Sequence, residues 1–176
     1  MMDALTLHRL LLDSGVRHEI VQLPRAVSSA DQLPTVLELP SRRCLAVRMY
    51  EAGGTLIAAV VWAGRVPDIA ELRRVTGEQD VRAAAGDRVN EATGYAARLV
   101  SPLALPDTVE VYADEDVISG LDNDVVVYTA TGESRTGLGI RLLDLFAICP
   151  AKPAALSPAG PAPAQHTPRW DVRAVR

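Results

Sequence analysis

A glycine-tyrosine pair, Gly94-Tyr95, is followed seven residues later by Ser101-Pro102, and the residues between them are apolar except for Arg98. Glycine permits a positive φ or a close backbone approach, whereas Pro102 fixes its own φ and biases Ser101 towards extended geometry. Such a segment reads in one of two ways. It is a connection between two packed elements, or it is a rigid loop that shows backbone N–H groups to a cleft and so can hold an acceptor. Arg98 likewise reads either as a solvent-facing loop arginine or as half of an anion site.

The remaining residue types exclude several chemistries. Seventeen of the eighteen basic residues are arginine, and the single lysine is Lys152, so the folded part offers no lysine as nucleophile, Schiff base or phosphate clamp. His8 falls in a predicted helix and His18 in a predicted strand, while no Cys-x-x-Cys or His-x-x-x-His spacing occurs, so no metal site is expected. Neither a Gly-x-Ser-x-Gly elbow nor a Gly-x-x-x-x-Gly-Lys phosphate loop is present. The acids Glu110, Asp114, Glu115, Asp116, Asp122 and Asp124 lie around a probable hairpin, where a solvated turn explains them.

A net charge of −4 does not suggest general affinity for nucleic acid, and no DNA partner is expected. A local patch from Arg42, Arg43 and Arg48 remains open. Cys44 and Cys149 lie in apolar surroundings at opposite ends of the chain and are expected to be buried, reduced thiols of a cytoplasmic protein. The longest apolar run, 56–63, is too short to span a membrane, and the N-terminus does not read as a signal peptide.

A length of 176 residues suits one domain, and with one Phe, two Trp and four Tyr its core must be built from Val, Leu, Ile and Ala. Leu7, Leu10 and Leu11 predict an amphipathic helix over 3–14, closed by Gly15, and a strand follows over 16–23. Ser28 or Ser29 can cap a short helix that Pro34 interrupts. The runs 44–49 and 55–62 flank Glu51-Ala-Gly-Gly54 as a β-hairpin whose second strand is central. Asp68 starts a helix that Gly77 closes, and a second short helix is expected over 78–85, ending at Gly86. Strands are predicted over 108–112 and 125–129, a turn at Thr131-Gly132-Glu133, and a helical stripe over 138–148 through Leu138, Leu142 and Leu145. From Pro150 to Pro168 the composition shifts to six Pro and six Ala in nineteen residues, so the domain is drawn as 1–149 and 150–176 as a disordered Pro/Ala-rich tail. Trp170 with Arg169 and Arg173 reads as simple disorder or as a small docking motif.

The hairpin Arg43-Cys-Leu-Ala-Val-Arg48 with Leu56–Val61, the helix from Asp68, the loop Thr93-Gly-Tyr95 with Val100-Ser-Pro-Leu103, and the closing Gly132 to Leu145 together resemble the YbaK family. That family is related to the editing domain inserted in bacterial prolyl-tRNA synthetases. The resemblance covers about residues 4–149 and implies an α+β fold with a mixed, barrel-like sheet surrounded by helices. It implies hydrolysis, in trans, of the ester joining a wrong small amino acid of the Ala or Cys type to tRNA, with no metal or other cofactor. The expected partners are the aminoacyl-tRNA 3′ end and a synthetase. On this resemblance Arg43 contacts the RNA end, Gly94, Tyr95, Ser101 and Pro102 shape the pocket, and Thr131-Gly132 supplies backbone donors. The chain also departs from the family pattern. The family lysine falls on Arg43, the glycine of its Gly-x-x-x-Pro loop falls on Arg98, and its later aspartate falls on Gly137 or Gly139. A catalytically silent homologue that binds tRNA, a synthetase or a small anionic ligand is therefore the alternative.

Overall fold

The computed structural model describes residues 1–119 and 124–157. Helix α1 (Ala4–Asp13) begins where the Asp3 carboxylate accepts from the Thr6 N–H at 2.7 Å, and it buries Leu7 and Leu11, one turn apart. Strand β1 (His18–Gln22) follows. Ser29 then caps a 3₁₀ turn at Ala30–Gln32 that runs into α2 (Leu33–Leu37). Pro34 lies in the first turn of α2, where its missing N–H costs nothing, so it starts this helix and does not interrupt one.

Strands β2 (Leu45–Ala52) and β3 (Thr55–Trp62) form the expected hairpin around Gly53-Gly54. Helix α3 (Ile69–Thr76) has Asp68 as its N-cap and Gly77, at φ 75°, as its C-cap. Next come β4 (Val81–Ala83) and α4 (Gly86–Thr93), which correct the expected helix over 78–85. Val81-Arg-Ala83 is drawn into extended form by pairing with Tyr50–Ala52, and Gly86 opens a helix where a stop was expected.

After the loop come β5 (Glu110–Asp114), α5 (Glu115–Ser119), β6 (Val126–Ala130), β7 (Thr136–Arg141) and α6 (Leu142–Ile148). Strands β5 and β6 belong to different sheets, so the acidic stretch does not surround a hairpin; Asp122 lies outside the described residues. Leu138 lies on β7, not on the helix expected from 138, because pairing with β1 and β6 takes 136–141 into a sheet.

Strand β8 (Lys152–Ala154) completes a five-stranded sheet of order β4-β2-β3-β5-β8, beside a three-stranded sheet of order β1-β7-β6. A single isolated bridge, Cys44 to Tyr128, joins the two. The fold is thus α+β with mixed strand directions, and no closed barrel forms among the described residues. The main core lies between the sheets and helices α1, α4 and α6, around Leu45, Val60, Leu138 and Leu145. No helix among the described residues is long and apolar enough to cross a membrane.

The boundary expected at 149 falls inside the fold. Strand β8 pairs in parallel with β5, and Leu156 has no exposed surface. Asp114, buried beneath it, accepts from the Leu156 N–H at 3.4 Å and from the Ser157 hydroxyl. Replacing Asp114 with Ala leaves the buried Leu156 N–H without its acceptor, and the expected loss is about 2 kcal/mol, read as a lower urea midpoint. Residues 158–176, including Trp170, lie outside the described residues.

Candidate functional site

The Gly94–Leu103 loop braces itself from within. Gly94 caps α4 at φ 74°, the Tyr95 hydroxyl donates to the Leu103 carbonyl at 2.7 Å, and the Leu103 N–H donates to the Ser101 hydroxyl at 3.3 Å. Tyr95 is 1% exposed and Ser101 fully buried, so both residues hold the loop together and leave the contact surface to others. Burial raises the Tyr95 phenol well above its ordinary pKa, which keeps it a neutral donor. Pro102 is also buried, and its carbonyl accepts from the Cys149 thiol at 3.4 Å.

What the braced loop presents is Ala97-Arg98. These two residues form one wall of a cleft of about 410 Å³, lined also by Ala30, Ala83, Ala84, Gly86, Val89 and residues 46–50 of β2, Tyr50 included. The lining is mostly small and apolar, with Arg48 and Arg98 as its cations. Arg48 is fully engaged: its guanidinium pairs with both oxygens of Asp31 at 2.9 and 2.6 Å and donates to the Arg65 carbonyl. Asp31 also accepts from the Gly64 N–H at 2.8 Å. Arg98 is exposed, and its carbonyl accepts from Ala30 N–H at 3.0 Å, tying the loop to the 3₁₀ turn across the cleft.

The other positions singled out from sequence lie elsewhere. Arg43 donates from Nε to the Val126 carbonyl at 2.7 Å, beyond the cleft lining. Thr131 is buried with its hydroxyl 2.7 Å from that of Thr136. Gly132, at φ 96°, packs against the Met2 carbonyl, and the Met2 N–H donates to the Gly94 carbonyl at 2.8 Å. The N-terminal segment therefore threads between the Gly94 and Gly132 turns and covers the turn expected to offer backbone donors. A Cβ at Gly137 would come within 3.2 Å of Val21, and one at Gly139 within 2.7 Å of Glu19 and 2.9 Å of Tyr128. Side chains of β1, and Tyr128 of β6, thus crowd the space beside these two glycines.

Both cysteines are free and buried, and desolvation pushes Cys44 up to about 12 and Cys149 to about 11, which suits packing and not nucleophilic attack. Among the described residues no group of three or more His, Cys, Asp or Glu side chains is placed to hold a metal ion. A larger cleft of about 610 Å³ lies against Pro102–Asp107; of its ionic residues Asp107, Glu110 and Lys152, the last two pair with each other at 2.8 Å. Sequence reasoning missed the β2 wall of the smaller cleft and Ala84-Gly86, since their contribution comes from where β4 ends.

The chain belongs to the aminoacyl-tRNA editing domain family, whose model matches residues 25–148. Among solved structures it is similar in fold to the hypothetical protein APE2540, with a TM-score of 0.76 and 20% identity over 86% of this chain and 99% of that one. It is also similar in fold to a candidate trans-editing enzyme for prolyl tRNA synthetase, with a TM-score of 0.69 and 21% identity over 80% of this chain and 87% of that one. No curated protein matches.

Proposed function

We propose that the chain is a cytoplasmic, trans-acting aminoacyl-tRNA deacylase that removes a small amino acid of the Ala or Cys type from mischarged tRNA. The observation that carries this reading is the cleft lined mostly by small residues, beside the exposed Arg98, in a chain of the editing-domain family. An aminoacyl ester is already activated, so the protein's work is to hold the terminal nucleotide, admit water and stabilise the oxyanion. A cleft walled by Ala30, Ala46, Ala84 and Ala97 acts as a size filter that larger, correctly charged side chains fail. Arg98 at its mouth supplies a cation for a phosphate of the RNA end. A synthetase is the natural source of the charged tRNA.

The second reading is a silent homologue that binds tRNA, a synthetase or a small anionic ligand. Arg98 in place of glycine and the filled space at Gly137 and Gly139 favour it. Deacylation of tRNAs charged with Ala, Cys, Ser, Thr and Pro by the full chain, beside Arg98→Gly, separates the two. Release of Ala or Cys above the spontaneous rate is expected. An inert chain whose Arg98→Gly variant hydrolyses supports the silent reading.

Arg43, whose Nε donates to the Val126 carbonyl, is read as an RNA contact outside the cleft. Arg43→Ala is therefore expected to weaken tRNA binding and lower the salt slope by about one, with the size preference of hydrolysis unchanged. An unaltered slope removes Arg43 from the contact.

A further inference from the structure

Inside the cleft, strand β4 leaves the edge of β2 before it reaches Val47. Ala63 donates to the Cys44 carbonyl at 2.8 Å, so the even-numbered residues of β2 direct their main-chain groups towards β3. Ala84 donates to the Met49 carbonyl at 3.0 Å, so the odd-numbered residues direct theirs to the opposite edge. Strand β4 covers that edge at Tyr50–Ala52. Continued by the same register, Gly86 would face Val47, but at Gly86 the chain turns into α4 and leaves the sheet. At the far end the isolated bridge from Cys44 to Tyr128 joins this edge to β6. By this alternation the N–H and C=O of Val47, a residue of the cleft lining, are directed to the edge that β4 has left. Val47 is 6% exposed.

We propose that Val47 receives the aminoacyl group of the substrate as one residue of an added antiparallel strand. Its C=O accepts from the α-ammonium, and its N–H donates to the ester carbonyl. The inference rests on the deacylase reading and names the groups that read the substrate's α-amino acid. An α-aminoacyl ester carries a donor and an acceptor in the same relation as the N–H and C=O of a strand residue, so a single edge residue can satisfy both. A residue paired in this way puts its side chain on the same face as Val47's own. On that face Val89 and Ala97 pack against the core cluster that holds Val47, which limits the side chain to a small one.

In the reaction, water adds to the carbonyl carbon and the Val47 N–H holds the oxyanion. The oxyanion collapses with cleavage of the bond to the ribose oxygen. That oxygen takes one proton from the attacking water, and the other passes to solvent as the free amino acid forms.

The test replaces Val47, in the full chain, by its α-hydroxy acid analogue, which keeps the side chain and the C=O but removes the N–H. Deacylation is expected to fall roughly 100- to 1,000-fold, with the thermal midpoint lowered only by the weaker ester carbonyl left at Ala46 in the β3 ladder. The same replacement at Ala46, whose N–H belongs to the β3 ladder, is expected to lower the midpoint. A second readout follows the Val47 amide of ¹⁵N-valine-labelled protein during titration with the non-hydrolysable 3′-alanylamino-3′-deoxyadenosine, and a specific shift of that amide is expected. An active chain whose rate survives loss of the Val47 N–H overturns this proposal and leaves the deacylase reading standing. An inert chain whose Val47 amide still shifts supports the recognition and sinks the enzyme reading. An inert chain with no shift removes both.

Discussion

Gly132→Ala is expected to destabilise the chain by about 3 kcal/mol, seen as a thermal midpoint lower by about 6–12 °C. Two costs combine. At φ 96° any L side chain is strained, and the new Cβ would come within 2.5 Å of the Met2 carbonyl oxygen and 3.0 Å of the Tyr95 ring. A main-chain oxygen cannot rotate away, so the N-terminal segment itself must shift. Gly54→Ala is the control, since its φ is 87° but nothing lies within 4 Å of the added carbon. It is expected to lose only the conformational part, about 1–2 kcal/mol. Equal losses at the two positions would show that the packing of Met2 on Gly132 contributes nothing.

Asp31→Ala is expected to cost about 2–3 kcal/mol at neutral pH, because it removes the carboxylate partner of a half-buried guanidinium, leaving it only the Arg65 carbonyl, and the acceptor of the Gly64 N–H. The effect is pH-dependent. Burial alone would raise the Asp31 pKa, but the hydrogen bonds from Arg48 and Gly64 outweigh it and hold the carboxyl below its ordinary value. Its stabilisation is therefore fully present above the unfolded-state value near 3.9 and is lost as pH falls through the lower folded value. Urea midpoints of the two proteins should differ clearly at pH 7 and converge towards pH 3. A constant gap would assign the loss to packing. Since Asp31 sits in the 3₁₀ turn with Ala30, the variant also loosens one wall of the cleft, and a broader range of released amino acids is expected.

Local signals carried much of the fold. The β2–β3 hairpin was legible because Gly53-Gly54 separates two apolar runs, and α3 because Asp68 and Gly77 mark its ends. Strand β4 was not, since Val81-Arg-Ala83 has no pattern of its own and is extended only because β2 lies beside it. Leu138, Leu142 and Leu145 happen to keep helical spacing across the junction of β7 and α6. Strand β8 was hidden in Pro/Ala-rich sequence, yet Pro153 is tolerated there because the strand lies at the sheet's edge. At the site, Gly94, Tyr95, Ser101 and Pro102 were recognisable as a rigid unit, but side-chain identity did not tell which of them face inward. The open edge at Val47 has no sequence signature, because it depends on where a neighbouring strand stops.

The pairing of β1 with β7 joins His18 to Ile140 across roughly 120 residues, while β2 finds β3 at once. During synthesis at about 5–20 residues per second, β1 waits roughly 6–24 s for its partner. The hairpin and α3 can assemble in that interval, but the three-stranded sheet and the N-terminal strap at Gly132 cannot. A nascent chain stopped before residue 136 therefore holds an apolar α1 face without the three-stranded sheet to receive it. It is this late closure, not the stability of the finished fold, that sets when the chain first becomes safe from its own exposed leucines.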